Sequence, residues 1–317
     1  MNKKKTDISI LVKVARLYYE SNFSQLQVSQ EIGISRPSVS RLLQQARDRG
    51  IVKIEIFDPE NQYHELEIRL SEKYNLKKVI IVSSVGSDGL NLIKNLSQAT
   101  AELLDKLVED NLILGVSWGT TMSEIKNQII SRNVKDMVVV QLNGGVSRAE
   151  YDTHASEVTQ KIGEAYKAIP YLLPLPAIVD SADVKKAIIS DRNISNTLDL
   201  AKKANVALFT IGSFTRESIL VKSDYFSTKE VEELLKNGAV ADICSRIITH
   251  NGKICSQELN SRTIGLDLSE IKSKEYSIAV AGGEQKYKAI RAALNGKLFN
   301  TLITDENIAR HLLNSDK

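Results

Sequence analysis

The 317-residue chain is long enough for one small and one mid-sized domain, and its 42% hydrophobic and 26% charged residues exclude a disordered or fibrous protein. Its two cysteines are too few for a disulfide framework, and no run of about 18 apolar residues occurs, so we expect a cytoplasmic protein outside the membrane. The net charge of +3 is concentrated in residues 1–57, which carry ten Lys and Arg against five Asp and Glu, so this segment alone suits a polyanion.

Three helices are predicted at the start of the chain. Apolar residues at helical spacing indicate an amphipathic helix over residues 7–21. A shorter apolar pattern follows Ser24 and is broken by Gly33. A further helix is predicted over residues 35–49, with Pro37 in its first turn. The order of helix, glycine-containing turn and helix is typical of a helix-turn-helix.

The helix over residues 35–49 has the composition of a DNA-reading helix. Its apolar residues share one face, and residues 35–45 contain no acidic residue that would repel phosphates. Arginine pairs with guanine edges, glutamine with adenine, and serine hydroxyls with phosphates or bases. The candidate contacts to double-stranded operator DNA are Gln25, Ser35, Arg36, Ser38, Ser40, Arg41, Gln44 and Gln45. A helical oligomerisation module is the alternative interpretation.

A wing and a linker are predicted after this helix. Gly50 ends the helix, and residues 51–56 alternate like a short strand, which predicts a winged helix-turn-helix domain over residues 1–58. The helical pattern that follows indicates either a linker or dimer-forming helix, or the first helix of the next domain, and we assign residues 59–76 to a linker or dimerisation helix. The lysines near the N-terminus are equally compatible with a solvated basic tail.

Residues 77–317 repeat one theme, in which a β-branched run is followed by Gly, Ser or Thr and then by a helical stretch. The runs are residues 78–82, 112–116, 137–142, 206–211, 277–281 and 301–304. Strands that alternate with helices at this spacing predict a doubly wound, mostly parallel α/β domain. Asn251-Gly252 is flanked by two further runs and predicts an antiparallel hairpin there.

Ligands bind at the carboxyl ends of such strands, and three loops suit this use. Residues 117–121 offer hydroxyls and Gly119 beside a helix start, where free N–H groups favour an anion. Residues 141–145 and 281–286 end strands with paired glycines, and the second loop adds Lys286. Neither a dinucleotide motif nor a Walker A motif is present, so we expect no cofactor and a small phosphorylated ligand.

With these segments in place, the chain resembles the SorC family of sugar-binding transcriptional regulators over essentially its whole length. The resemblance is carried by Ala15-Arg-Leu-Tyr-Tyr19, Ile34-Ser-Arg-Pro-Ser-Val-Ser-Arg-Leu-Leu43, Gly115-Val-Ser-Trp-Gly-Thr-Thr121, Asp242-Ile-Cys-Ser-Arg246 and Thr301-Leu-Ile-Thr-Asp305. It implies an effector domain related in fold to phosphosugar isomerases and deaminases, and a homo-oligomer that is a dimer or tetramer. It also implies a repressor that a phosphosugar releases from operator DNA.

The same resemblance implies the residues of the effector site. Those expected around the phosphate are Ser117, Thr120, Thr121, Gly144, Gly145 and Lys286, while Gln141 and Asp242 are expected to face the sugar hydroxyls. One family member holds deoxyribose 5-phosphate through a lysine Schiff base just before the paired glycines, and here Asn143 occupies that position. An amide cannot form an imine, so deoxyribose 5-phosphate or a related phosphosugar is expected to bind noncovalently.

An enzyme is the alternative function, because a phosphosugar isomerase or deaminase could be fused to a DNA-binding module. Asp242 would then be its general base, but the four histidines form no recognised catalytic arrangement, and we expect no catalysis. A metal site from Cys244, His250 and Cys255 lacks a fourth ligand, so no metal is expected. Trp118 either lines the ligand site or packs in the core.

Overall fold

The computed structural model describes residues 8–52, 62–84, 89–145 and 154–314. The chain divides into two compact units, residues 1–61 and residues 62–317. Beyond Val52, the predicted wing strand lies outside the described residues. No helix in the described part of the chain is both long enough and apolar enough to span a membrane.

The first unit is helical, and its helix ends follow from local capping. Its helices are α1 (Ile8–Ala15), continued by a π-helical turn (Arg16–Glu20), α2 (Gln25–Ile32) and α3 (Arg36–Asp48). Ser24 begins α2 with a capping box that it shares with Gln27, and the Ser35 side chain accepts a hydrogen bond from the N–H of Ser38 in the first turn of α3. Gly33 ends α2 at a φ of 76°, a left-handed conformation that glycine adopts without strain.

Apolar side chains from all three helices form the small core of the first unit. The buried members are Leu11, Val14, Ala15, Val28, Val39, Leu43 and Ala46. The buried residues of α3 recur at three- and four-residue spacing, which places them on one face of that helix. The opposite face of α3 is therefore left to its polar side chains.

The second unit is a parallel sheet with helices on both faces, which confirms the predicted doubly wound α/β fold. The strands are β1 (Lys78–Val82), β2 (Ile113–Val116), β3 (Val138–Gln141), β4 (Ile169–Tyr171), β5 (Val206–Ser213), β6 (Ala239–Ile243), β7 (Arg246–Thr249), β8 (Tyr276–Val280) and β9 (Thr301–Asp305). The order across the parallel sheet is β1-β9-β8-β5-β2-β3-β4. β6 pairs with β5 and β7 pairs with β6, both in the antiparallel sense.

Helices cover the sheet on both sides. They are α4 (His64–Tyr74), α5 (Gly89–Leu107), α6 (Thr120–Gln128), α7 (Ala155–Tyr166), α8 (Ala182–Ile189), α9 (Arg192–Lys202), α10 (Ile219–Lys222), α11 (Thr228–Lys236), α12 (Gln257–Ser261), α13 (Leu268–Lys272), α14 (Tyr287–Asn295) and α15 (Glu306–Asn314). Successive residues of β5 alternate between two cores, since Leu208 packs with α5, α6 and α7, and Phe209 packs with α4, α14 and α15.

Helix α4 packs within the second unit. Leu70 is fully buried there, and the Glu67 carboxylate accepts a hydrogen bond of 2.9 Å from the N–H of Ile81 in β1. At its end, the Lys73 ammonium donates to the carbonyl oxygen of Leu312 in α15 at 2.8 Å. By these contacts α4 is the first helix of the larger unit, which begins at residue 62 and not after a separate linker over residues 59–76.

The structure has the predicted antiparallel turn at Asn251-Gly252 and a second, tighter turn that was not predicted. Ile243 pairs with Arg246, so the tight turn lies at Cys244 and Ser245, whose φ angles are 49° and 67°. These left-handed values are typical of Asn-Gly, and this preference explains why the sequence pattern pointed to residues 251–252. A single bridge between residues 248 and 254 closes the turn at Asn251-Gly252. The short edge strand β4, which contains Pro170, was not predicted.

Candidate functional site

Helix α3 presents a polar face that matches the predicted DNA contacts. Ser35, Arg36, Ser40, Arg41 and Gln44 are exposed, and Ser38 and Gln45 are partly exposed, as is Gln25 at the start of α2. Hydrogen bonds organise this face, because a Ser35–Ser38 hydroxyl pair lies at 2.9 Å and Arg41 donates to the Ser38 hydroxyl at 3.4 Å. Gln45 differs from the rest, since its side-chain oxygen is buried and has no hydrogen-bond partner among the described residues.

A cavity of about 170 Å³ opens in the second unit beside the carboxyl ends of β2 and β5. Seven of the predicted effector residues line it, namely Ser117, Gly119, Thr120, Thr121, Asn143, Asp242 and Lys286. The structure adds Trp118, Thr210, Gly212, Ser213, Ser218, Ile219, Leu220, Cys244 and Ser245 to the lining. The cavity lies where parallel α/β sheets bind their ligands.

The first wall of the cavity is the start of α6. Gly119 precedes the helix with a φ of 131°, and a Cβ atom there would lie 3.4 Å from the Thr210 hydroxyl. This glycine therefore lets the chain turn sharply into α6 while staying close to β5. The free N–H groups at the start of α6 and the hydroxyls of Thr120 and Thr121 form an environment suited to an anion.

Asp242 and Lys286 supply the charges of the cavity. Asp242 lies opposite Gly212 in the β5–β6 pair, where a Cβ on residue 212 would lie 2.0 Å from the carboxylate. Burial raises the pKa of Asp242 to about 6, while Lys286 and the backbone N–H of Ser245 act to lower it. Burial lowers the pKa of Lys286, which donates to the carbonyl oxygen of Ile211 at 2.9 Å, and nearby Asp242 opposes this change.

Asn143 lies just after β3 and is buried at the cavity wall. Its side-chain nitrogen donates to the carbonyl oxygen of Gly144 at 3.2 Å and to the Ser245 hydroxyl at 3.0 Å. Its side-chain oxygen is buried and has no hydrogen-bond partner among the described residues. The amide is therefore held by its nitrogen, and its oxygen is a buried acceptor whose hydrogen-bonding capacity is unused.

Three predicted effector residues lie outside the cavity. The Gln141 side chain is satisfied by the backbone of Leu173, with the amide nitrogen 3.2 Å from its carbonyl oxygen and the amide oxygen 3.1 Å from its N–H. Gly144 packs on the backbone of Pro176, whose carbonyl oxygen would lie 2.4 Å from an added Cβ. Gly145 forms a bridge with the same residue. Gly144 thus permits close backbone packing, and neither glycine lines the cavity.

Cys244, His250 and Cys255, the three candidate metal ligands, do not converge. In the described residues, no group of three His, Cys, Asp or Glu side chains could hold a metal ion. Cys244 lines the cavity, where burial raises the pKa of its thiol to about 12, and Cys255 donates to the carbonyl oxygen of Leu234 at 3.6 Å. Trp118 lines the cavity and also packs against a core cluster, with its ring N–H 2.7 Å from the carbonyl oxygen of Gly144.

Comparisons with known proteins agree with this arrangement. A family model of a sugar-binding domain matches residues 58–314. The deoxyribonucleoside regulator of Bacillus subtilis is 43% identical over 314 residues, which cover 99% of each chain. The sorbitol operon regulator of Klebsiella pneumoniae is 31% identical over 309 residues, or 97% of this chain and 98% of that protein.

Solved structures give the same result. The crystal structure of the full-length sorbitol operon regulator SorC from Klebsiella pneumoniae matches with a TM-score of 0.75 at 30% identity, covering 98% of this chain and 99% of that one. These similar proteins are named as regulators and not as enzymes. The alternative of an isomerase or deaminase therefore has no support.

Proposed function

Because this chain belongs to the SorC family of sugar-binding transcriptional regulators, we propose that it is a repressor whose operator affinity a phosphorylated sugar controls. Deoxyribose 5-phosphate or a related phosphosugar is the effector, and it binds noncovalently. The observation that carries the proposal is one cavity whose lining brings together a helix start, the partly buried Lys286, Asp242 and Asn143.

The phosphate is held at the start of α6. An anion there interacts with the free N–H groups of the helix and with the hydroxyls of Ser117, Thr120 and Thr121. Lys286 adds the positive charge that a phosphate needs, and its burial strengthens this attraction because the local dielectric constant is low. We therefore assign this wall to the phosphate.

The sugar hydroxyls are assigned to the hydrogen-bond acceptors of the cavity. Asp242 offers carboxylate oxygens and Asn143 offers an amide oxygen, and both accept hydrogen bonds from hydroxyl groups. Neither can form a Schiff base with an aldehyde, because neither carries an amine. This supports noncovalent binding by hydrogen bonds in place of the lysine imine of the family member described above.

Operator DNA is read by α3 in two copies. The exposed Arg36, Ser40, Arg41 and Gln44 supply the side chains for base and phosphate contacts. In a dimer or tetramer, paired recognition helices fit half-sites about one helical turn apart, or a multiple of that spacing. Effector binding shifts the relation of the subunits, so the paired helices no longer match both half-sites.

A thermal-shift screen of phosphorylated sugars tests the effector assignment. A ligand that binds only the native state raises the melting temperature. We expect deoxyribose 5-phosphate or another pentose, hexose or triose phosphate to raise it, and the unphosphorylated sugar to have no effect at the same concentration. If every sugar phosphate leaves the melting temperature unchanged, or if free sugars act equally well, the proposed effector class is wrong.

A further inference from the structure

The β6–β7 turn is made of residues that are unusual for its geometry. Cys244 and Ser245 occupy a two-residue turn with φ angles of 49° and 67°, positions where Asn and Gly are strongly preferred. Ser245 is completely buried, and both residues line the cavity. Left-handed backbone at a non-glycine residue is unfavourable and tends to persist at functional sites. The turn therefore needs an explanation in terms of its side chains.

The Ser245 side chain makes a contact that glycine could not make. Its hydroxyl accepts a hydrogen bond of 3.0 Å from the side-chain nitrogen of Asn143. The second hydrogen of that nitrogen points to the carbonyl oxygen of Gly144, which can only accept. These two acceptors fix which end of the amide is nitrogen, so the Asn143 oxygen is the end that lacks a partner.

The backbone of Ser245 holds the other polar group on the same side of the cavity. Its backbone N–H lies near the carboxylate of Asp242 and acts to lower the pKa of that carboxyl group against the effect of burial. One turn residue thus contacts both Asn143, from the end of β3, and Asp242, from β6. Each of the two retains oxygen acceptors, and both line the cavity.

We propose that Ser245 is a positioning residue that sets the hydrogen-bonding polarity of the effector site. It aligns the Asn143 amide oxygen and the Asp242 carboxylate as two acceptors, so the site selects phosphorylated sugars that present at least two hydroxyl donors away from the phosphate. This inference rests on the proposed function, since it concerns the sugar end of the same ligand. Inorganic phosphate, which occupies the α6 end alone, does not depend on Ser245.

Calorimetric titrations with deoxyribose 5-phosphate, ribose 5-phosphate and inorganic phosphate test this proposal in the full-length protein. Ser245→Ala removes the hydroxyl and keeps the strained backbone, whereas Ser245→Gly also relieves the strain. Ser277→Ala is the matched control, because Ser277 is equally buried but lies in β8 and does not line the cavity.

We expect both Ser245 variants to bind the pentose phosphates about 2- to 12-fold more weakly, the range for one hydrogen bond, and to bind inorganic phosphate as the wild type does. Ser277→Ala should bind all three probes normally. Ser245→Gly should melt about 2–4 °C above Ser245→Ala, because glycine accepts the left-handed turn. If Ser245 had a purely structural role, the affinities for the pentose phosphates and for inorganic phosphate would both fall in the variant with the lower melting temperature.

A double-mutant cycle tests the link to Asn143. In an Asn143→Ala background, Ser245→Ala should cause no further loss of pentose phosphate affinity, because the amide it positions is gone. Independent, additive losses would overturn the inference, as would wild-type affinity in Ser245→Ala or equal losses for inorganic phosphate. It would also be overturned if the wild type bound inorganic phosphate but bound neither pentose phosphate more tightly than inorganic phosphate. If the wild type binds none of the three probes, this inference is overturned, and if no other sugar phosphate raises the melting temperature either, the proposed function itself fails.

Discussion

At the scale of single residues, the cavity holds one acid and one base whose protonation depends on each other. Burial disfavours the charged form of both Asp242 and Lys286, and each partly stabilises the charge of the other. Gly212 makes this possible, because any side chain there would overlap the Asp242 carboxylate. The site thus carries a titratable acceptor with a pKa near 6, close to neutral pH.

This titration predicts pH-dependent effector binding. Below about pH 6, Asp242 is protonated and accepts hydrogen bonds less well, so the affinity for deoxyribose 5-phosphate should fall about tenfold between pH 7 and pH 5. Since the phosphate also titrates near pH 6, Asp242→Asn is the control and should show only the pH dependence of the phosphate. Identical pH profiles for the two proteins, measured by calorimetry, would refute the role of Asp242.

The same group has the opposite effect on the stability of the ligand-free protein. The pKa of Asp242 is raised from 3.8 to about 6 on folding, so the folded state binds this proton more tightly than the unfolded chain. The contribution of Asp242 to the free energy of unfolding therefore increases as the pH falls from about 6 to 4. Comparing denaturant unfolding of the wild type and Asp242→Asn across this range isolates the contribution.

Asn143 gives a second prediction at this scale. Borohydride reduces an imine to a stable adduct, but the proposed site binds deoxyribose 5-phosphate without an imine. Mass spectrometry of protein treated with this sugar and borohydride should therefore find the unmodified mass. An adduct on Lys286, the amine that lines the cavity, would contradict noncovalent binding.

At the scale of secondary-structure elements, both candidate sites depend on how helices begin. Serine caps fix the starts of α2 and α3, and Gly119 turns the chain into α6. Asp305, at the end of β9, caps one helix and also accepts a hydrogen bond from a neighbouring loop. One of its oxygens accepts from the N–H groups of Asn307 and Ile308 at the start of α15, and the other accepts from the N–H of Gly283 at 2.7 Å.

Asp305→Ala should therefore be strongly destabilising. It removes a helix cap and leaves the N–H of Gly283 without its partner, and we expect the free energy of unfolding to fall by about 2–4 kcal/mol. Ser181→Ala is the comparison, because Ser181 caps α8 by a single hydrogen bond to a backbone N–H and should cost about 1 kcal/mol. Urea unfolding measures both, and equal losses would contradict the dual role of Asp305.

Arg41→Ala tests the assignment of α3. Arg41 is exposed on the polar face, and its loss should weaken binding to a duplex selected from random sequence by about 5- to 150-fold, the cost of about 1–3 kcal/mol for a base contact. Arg16→Ala removes the same charge from the π-helical turn and should have a smaller effect. Fluorescence anisotropy at fixed salt compares them. Equal affinities for Arg41→Ala and wild type would show that α3 does not read the DNA.

The sequence predicted the elements well and the site in part. Periodicity located the parallel strands, because buried strands are continuous apolar runs bounded by small residues. It missed β4, which is three residues long and exposed, and it missed the tight turn at residues 244–245 between β6 and β7. The paired glycines at residues 144–145 suggested ligand contact, but neither lines the cavity, and Gly144 instead packs closely on the backbone of Pro176. Ser245 lies in the Asp242–Arg246 segment of the family resemblance, but its hydrogen bond to a residue 102 positions away could not be read from the sequence.

At the scale of the whole molecule, a basic helical unit is joined to an α/β unit that carries the cavity. In the proposed regulator, the effector acts through a difference in its affinity for DNA-bound and free protein. A coupling free energy of about 1–3 kcal/mol would change operator affinity 5- to 150-fold. The same factor must appear in the affinity for the effector when DNA is bound, because coupling of binding is reciprocal.

The most direct test is to titrate a selected duplex with the full-length protein at fixed salt, with and without saturating deoxyribose 5-phosphate or the best sugar phosphate of the thermal-shift screen. The account predicts 5- to 150-fold weaker DNA binding with the effector, and little change in Thr121→Ala, whose phosphate site is impaired. Unchanged DNA affinity of the wild type in the presence of a bound sugar phosphate would contradict it.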